Sequence, residues 1–356
     1  MILLSSRVAY RLPLSDKVTL AHGGGGVETE AIVKWLFRRL VPREFWKTKD
    51  GYGLDVLDDG AAIKIDGVGY LVVSTDSFTV SPPFFPGGDI GHLAASGTIN
   101  DILMMGARPV AALDAIVVEE GFPLSELERI VKSMVKVFVE NNVAVVGGDF
   151  KVMPKGSLDK IVISTIGIGV TNTEPIIDKV RPGDKIIVTG PIAEHGITIL
   201  ALRMGVQSSE LRSDSKPLTD LMIPLVDQYR NVIHAARDPT RGGLAMALND
   251  WARESNLLIV VDEQSIPIRE PVRAYAEMLG VDPLALACEG VALLAVEGSA
   301  AEEVLDFIHG LGYRQAAIIG EVRQSERFKG KVVLKTSTGG LRIIDPPSGE
   351  IVPRIC

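Results

Sequence analysis

The chain has 356 residues, is 46% hydrophobic and 5% aromatic, contains 36 glycines and carries a formal net charge of -8. This length allows two domains with sizeable cores, and the acidic balance argues against a nucleic-acid footprint. Two cysteines make no disulfide framework, the apolar run after Met1 is too short for a signal peptide core, and no stretch approaches the ~18 apolar residues of a membrane span. The expectation is a soluble cytoplasmic protein with reduced thiols.

Lys17 to Ala21 reads as a short strand entering His22-Gly23-Gly24-Gly25-Gly26, followed by a helix over Val27–Leu40. Ala61–Ile65 and Tyr70–Ser74 read as strands joined by Asp66-Gly67-Val68-Gly69, a hairpin signal. Ile90–Met105 reads as a helix with small residues on one side, Val110–Val118 as a buried strand, Leu124–Glu140 as an amphipathic helix and Lys160–Val170 as a strand. Thr171–Gly183, with Pro175, Pro182 and Gly183, marks a domain boundary. Beyond it come a strand at Lys185–Thr189 and helices near Ala193–Met204, Leu218–Arg237 and Leu244–Glu254. Strands fit Leu257–Val261, Val291–Val296, Ala316–Ile319 and Lys331–Leu334, and a helix fits Ala300–Leu311. From Arg342 on, Pro346, Pro347, Gly349 and Pro353 give an extended tail. Strands and helices mix in both halves, so the fold class is α/β or α+β. The division is 1–16 extension, 17–175 first domain, 176–341 second domain and 342–356 mobile tail.

Acidic residues recur next to strands: Asp58 and Asp59 before the hairpin, Asp76 after it, Asp101 beside Asn100 in the small-residue helix, and Asp149 after Gly147-Gly148. Carboxylates delivered by strand ends into one crevice repel unless a cation binds, and magnesium with nucleotide phosphates suits one or two carboxylates per ion. Each alone reads equally as a turn or helix cap. Gly23–Gly26 lacks the Gly-Lys-Ser/Thr ending of a P-loop, so it is either a flexible turn or a backbone that closes over phosphates. His22 is either a contact residue or a strand-end histidine. Asp238-Pro239-Thr240-Arg241-Gly242-Gly243 opens a helix whose N-terminus favours anions, with Arg241 as a charged contact. Glu289, in Ala287-Cys288-Glu289-Gly290, is either a strand-end carboxylate or one with a raised pKa fit for proton transfer. Cys288 reads as a small buried hydrophobe. Cys356 is the last residue, badly placed for packing and well placed to present a sulfur.

Taken together these segments resemble the PurM (aminoimidazole ribonucleotide synthetase) superfamily of ATP-using enzymes. The marks are Leu20–Gly26, Asp58-Asp59-Gly60-Ala61, Ser74-Thr75-Asp76, Asn100-Asp101-Ile102, Gly147-Gly148-Asp149 with Lys151, and Asp238–Gly243. The closing Pro353-Arg354-Ile355-Cys356 is similar to the HypE family of hydrogenase maturation factors. Residues 1–16 extend beyond the usual start, and Phe150 replaces a small polar residue common in the family.

The resemblance implies two PurM-like domains and a homodimer that joins the N-terminal sheets. It implies ATP near Asp58, Asp59, Asp76, Asn100, Asp101, Gly148, Asp149, Lys151, Asp238 and Arg241, with Mg2+ on Asp59, Asp76 and Asp101. A HypF-like carbamoyltransferase would load Cys356, the enzyme would dehydrate the S-carbamoyl group to a thiocyanate with ATP, and a HypC–HypD-like complex would take the cyano group onto iron for NiFe hydrogenase. Hydroxide is a poor leaving group, so the carbamoyl oxygen is phosphorylated first, and Glu289 is the expected base for the nitrogen proton. Lys151 and the metal would stabilise charge on the transferred phosphoryl group. The tail from Arg342 spans at most roughly 45–50 Å. The α-carboxylate of Cys356 should raise its thiol pKa, with Arg354 offsetting part, so thiolate formation relies on the partner. Rival readings are a selenophosphate synthetase, disfavoured because no Cys precedes residue 288, a thiamine-phosphate kinase, which has no use for a terminal thiol, and a non-catalytic carrier.

Overall fold

The computed structural model describes residues 17–206, 208–349, 352 and 354–356, so the extension 1–16 and Pro353 lie outside the described residues. In chain order the first half holds α1 (Val27–Val33), β1 (Ala61–Ile65), β2 (Gly69–Phe78), β3 (Phe84–Phe85), β4 (Gly88–Asp89), α2 (Ile90–Met104), β5 (Arg108–Glu119), α3 (Leu124–Glu140), β6 (Ala144–Met153) and β7 (Ile161–Thr171). The second half holds β8 (Lys185–Val188), α4 (Glu194–Arg203), α5 (Thr219–Tyr229), β9 (Ile233–Arg237), α6 (Gly243–Ser255), β10 (Leu258–Asp262), α7 (Glu270–Leu279), β11 (Leu293–Val296), α8 (Ala301–Gly310), β12 (Ala317–Arg323), β13 (Lys331–Lys335) and β14 (Leu341–Ile344).

The first sheet runs β1-β2-β7-β5-β6, antiparallel except for the β5–β6 pair. The hairpin forms at the expected turn, where Ile65 pairs with Gly69 and Gly67 takes a φ of 73°. Helix α2 is buried along almost its whole length because it lies between this sheet and α3. Its small residues permit that: a side chain at Gly91 would overlap the Ile130 backbone, and one at Gly97 would meet the Phe78 ring. Asp89 starts α2 by accepting from the amides of Gly91 and His92, both at 2.9 Å. Helix α3 buries Ile130, Met134, Val137 and Phe138 and turns its other face outward, as its 3.6-residue periodicity dictates.

The opposite face of the sheet is uncovered. All ten residues of β6 are exposed: Asp149, Lys151 and Met153 share the outer face with Ile166 and Val170 of β7, whereas Phe150 and Val152, in register with the buried Ile116 and Val118, stand on the helix side of this edge strand where no helix reaches them. The second sheet runs β14-β13-β10-β12-β8-β11-β9 and is backed by helices, with all four residues of β11 buried. No helix of the described residues is long and apolar enough to cross a membrane.

Several expected elements differ. Lys17–Ala21 forms no strand; Leu20–Gly23 makes an exposed 3-10 turn. The helix from Val27 turns into a π-helical segment at Lys34–Arg38. The helix expected over Leu218–Arg237 stops at Tyr229, and Ile233–Arg237 becomes a strand, because the buried run after Val232 pairs with β11. Strand β6 was not expected at all. Gly148 sits in it because a Cβ there would crowd the Asp114 carbonyl on β5. The tail is not free from Arg342: Leu341–Ile344 pairs antiparallel with β13, and Val352 and Ile355 are buried.

Candidate active site

A narrow pocket opens where the end of β2 meets α2, the loop after β9 and the loop before β11. It is lined by Asp76, Phe78, Asp101, Asp238, Arg241, Glu289 and Cys356. Asp76 lies inside β2 rather than beyond it. Asp101 projects from α2, accepts a hydrogen bond from the Ser74 hydroxyl and lies beside Asp76 in the pocket. Burial pushes Asp101 well up from its ordinary value, and the charges of Asp76, Asp238 and Asp59 add to this. Burial, then Asp76, holds Asp238 up to about 7. Glu289 is almost wholly buried and raised well above the usual range by burial, Asp238, Asp214 and Asp76, with Arg241 opposing. Three oxygens in this region, Asp59 Oδ2, Asp238 Oδ2 and Glu289 Oε1, are buried without a hydrogen-bond partner. A site built so is short of positive charge and of donors.

Arg241 supplies part of the missing charge, with a guanidinium nitrogen 3.9 Å from Asp76 Oδ1. Next to it α6 begins at Gly243, and Gly242 and Gly243 take φ values of 79° and 58°. Gly25 packs on Arg241 so closely that a side chain there would overlap it, and the neighbouring Val27 amide donates to the Pro347 carbonyl at 3.1 Å. The glycine loop therefore lies over Arg241 and the start of the tail. His22 takes no part; its Nδ1 accepts from the Thr19 amide at 3.0 Å on the surface.

The tail enters the pocket through specific bonds. The Thr79 amide and hydroxyl donate to the Cys356 carbonyl at 2.8 and 3.1 Å. Arg354 donates to the Thr79 carbonyl at 3.0 Å and pairs with Asp159. Arg203 donates to the Arg354 carbonyl, and the His195 ring meets the Ile355 carbonyl at 2.7 Å. The thiol is held up to about 12, first by burial and then by Glu289, Asp76 and Asp238, with Arg241 as the opposing cation. The offsetting arginine is thus Arg241, not Arg354, which is engaged elsewhere. Cys288 is fully buried and accepts from the Ala193 amide at 3.2 Å.

Other expected site residues fall outside this pocket. Asn100 spends both ends of its amide on the chain beyond, donating to the Lys216 carbonyl at 3.1 Å and accepting from the Leu218 amide at 2.8 Å. It holds a loop and does not line the pocket. Asp58 accepts from the Asp178 amide at 3.0 Å, tying the first domain to the linker. Asp59 faces Arg237, 3.6 Å away, a buried arginine that also pairs with Asp178 and Asp250. Gly148, Asp149 and Lys151 lie on β6, where Lys151 pairs with Asp149 at 2.6 Å in the open and neither lines the pocket. Among the described residues no group of three or more His, Cys, Asp or Glu side chains stands ready as a metal cage. Thr79, His195, Arg203 and Asp159 were not anticipated; the first three meet backbone atoms of the tail, and Asp159 meets the Arg354 side chain from a remote loop, so none leaves a motif.

Known proteins match the chain along both halves. Residues 57–171 match the N-terminal domain of AIR synthase related proteins and residues 181–333 the C-terminal domain. The carbamoyl dehydratase HypE of Azotobacter vinelandii is 43% identical over 353 residues, covering 97% of this chain and 99% of that protein. A crystal structure of a HypE–HypF complex aligns with a TM-score of 0.80 at 37% identity, covering 90% of this chain and 100% of that one. A HypE structure in complex with ATP aligns with a TM-score of 0.77 at 39% identity, covering 96% and 100%.

Proposed function

The chain belongs to the HypE family of carbamoyl dehydratases, within the AIR synthase related proteins, and from that premise we propose how its own residues carry the reaction. It is an ATP-dependent carbamoyl dehydratase of hydrogenase maturation. The observation that carries the residue assignment is that Cys356 and Glu289 line the same pocket as Asp76, Asp101, Asp238 and Arg241.

Cys356 receives a carbamoyl group on sulfur from a HypF-like partner, and the bonds to Thr79, His195 and Arg203 return the tail to the pocket. The carbamoyl oxygen attacks the γ-phosphorus of ATP and ADP leaves. The nitrogen gives up both of its protons: one is lost as the oxygen is phosphorylated and goes out with ADP, leaving an imine, and Glu289 accepts the other as the C–O bond breaks with phosphate as leaving group, so that a thiocyanate remains on sulfur. A carboxylate held up by burial is the stronger base once it has lost its proton, and the pocket's small size keeps bulk water from the phosphorylated intermediate. Arg241 faces the charge of the transferred group.

The residues fit a divalent cation in one respect: crowded carboxylates with unpartnered oxygens gain a counterion. Asp76 and Asp101, which share the pocket, would hold Mg2+ together with the nucleotide, and Asp59, turned to Arg237 outside the pocket, would act on it only through its charge. Such an ion supplies neutralisation of triphosphate charge.

Gly148, Asp149 and Lys151 join the reaction through a homodimer. The uncovered apolar face around β6 favours pairing of two copies, which would bring one copy's β6 toward the other's pocket. A HypC–HypD-like iron scaffold takes the cyano group, and a reducing cytoplasm keeps Cys356 a thiol. The test is intact mass after incubation with a carbamoyl-transferring partner, its substrates and ATP. Gain of a carbamoyl group and then loss of one water, both absent in Cys356→Ala, is the expected result; an unmodified Cys356 with a competent partner refutes it.

A further inference from the structure

Glu289 sits on a loop just before β11, so something other than a strand ladder must fix it. Asp214 does. Its Oδ2 accepts from the amides of Glu289 and Gly290, each at 3.1 Å, and its Oδ1 accepts from the His195 amide at 3.1 Å. The same loop returns a bond, the Lys216 amide donating to the Glu289 carbonyl at 3.2 Å.

His195 lies in the first turn of α4, where the carboxylate also meets the positive end of the helix dipole. Its ring is fully buried, and burial holds it down to about 4, so it is neutral. The Ile355 carbonyl can only accept, so Nε2 carries the hydrogen and donates to it at 2.7 Å. Nδ1 then accepts from the Ser213 hydroxyl at 2.7 Å, and the Ser213 amide donates to the Pro86 carbonyl at 2.8 Å. The segment Ser213–Lys216 thus grips Glu289 on one side and the residue preceding Cys356 on the other, and anchors both to the first domain.

We propose that Asp214 is a positioning residue: by gathering the amides of Glu289, Gly290 and His195 it sets the base and the docked tail in one frame. The proposal rests on the reaction assigned above, in which Glu289 acts on the S-carbamoyl group of Cys356. Asp214 itself does not line the pocket that holds Cys356. Asn at this position keeps the shape but turns an NH2 group toward amides that need an acceptor.

The experiment uses the full-length chain. Single-turnover thiocyanate formation is followed by intact mass on S-carbamoylated protein, and iodoacetamide alkylation of Cys356 on unmodified protein without ligands. Asp214→Asn should slow turnover roughly 10- to 100-fold and speed alkylation by about tenfold, with ATP affinity within about twofold of the parent. His195→Ala should speed alkylation similarly, His195→Gln, which keeps a donor for Ile355, should restore slow alkylation, and the double variant should add little to the larger single effect. A folded Asp214→Asn protein with parental turnover and alkylation overturns the proposal, as does loss of ATP binding in step with turnover. If Asp214→Asn does not fold, Ser213→Ala replaces it, and unchanged alkylation there overturns the proposal too. Should the parent form no thiocyanate, the reaction assignment fails while the alkylation arm still decides whether Asp214 orders the tail.

Discussion

Asp238→Asn offers a quantitative test of the pocket's electrostatics. The folded chain holds this carboxyl up to about 7 against an ordinary value of 3.8, chiefly through burial, and leaves Oδ2 without a partner. Between these two pH values the folded state keeps a proton that the unfolded state has released. Stability therefore falls as pH rises through the window and levels off above it. At about 1.4 kcal/mol for each tenfold change in proton affinity, the cost is about 1.5 kcal/mol near pH 5 and about 4 kcal/mol near pH 8. Asparagine removes the titration, and the attraction of Arg237 and Arg241 for the charged form is already contained in the value of about 7. The stability change on substitution should thus be more favourable at about pH 8 than at about pH 5 by about 2.5 kcal/mol. That corresponds to a difference of roughly 3 °C in the change of melting temperature for a chain of this length. Calorimetry of ligand-free parent and variant at the two pH values measures it. An equal change at both, or a greater loss at the higher pH, would refute the reasoning.

Glu289→Gln should reduce thiocyanate formation by about 100-fold or more while ATP still binds, as read by single-turnover mass and by titration. In the parent the rate should rise with pH, because the raised carboxyl must lose its proton before it can accept one; a flat profile would exclude Glu289 as base. Gly25→Ala forces a side chain into Arg241 at a φ of 76°, and should raise KM for ATP several-fold and lower the melting temperature, by about 1–3 kcal/mol of strain. Val146→Asp on the uncovered face should give monomers in sedimentation and low ATP turnover; parental association would remove the case for pairing through this face.

Local chemistry made the first half readable where it left a pattern. The hairpin carried its glycine turn, and α2 carried the small residues its tight packing requires. Strand β6 escaped because its middle is Gly147-Gly148 and its surface is apolar on an exposed edge, the reverse of the usual alternation. Strand β9 escaped because no glycine or proline separates it from α5, only the short polar stretch Asp227–Asn231, which also suits the outer face of a continuing helix. Adjacent motif residues also diverge in space. Asn100 and Asp101 are neighbours on one helix, about 100° apart around its axis, so Asp101 reaches the pocket while Asn100 reaches Leu218. Asp76, Asp238, Arg241, Glu289 and Cys356 come together, whereas Asp149 and Lys151 do not join them. Asp214 and His195 were invisible because their partners are backbone amides and carbonyls, which any sequence offers.

The grip on the tail near its root changes what a partner must do. Pro347 accepts from Val27 and the Gly349 amide donates to Glu28 at 3.2 Å, so with these bonds kept the chain pivots at Gly349 instead of Arg342. Seven links separate Gly349 from Cys356, a tether of about 25 Å when fully extended. That is about half the reach available from Arg342. A carbamoyl donor with its reactive centre deep inside would be beyond such a tether, so the loading enzyme has to seat against the mouth of this pocket and present its centre near its own surface. Lengthening the segment between Gly349 and Cys356 by a few glycines would then relax the fit between the two enzymes rather than improve delivery.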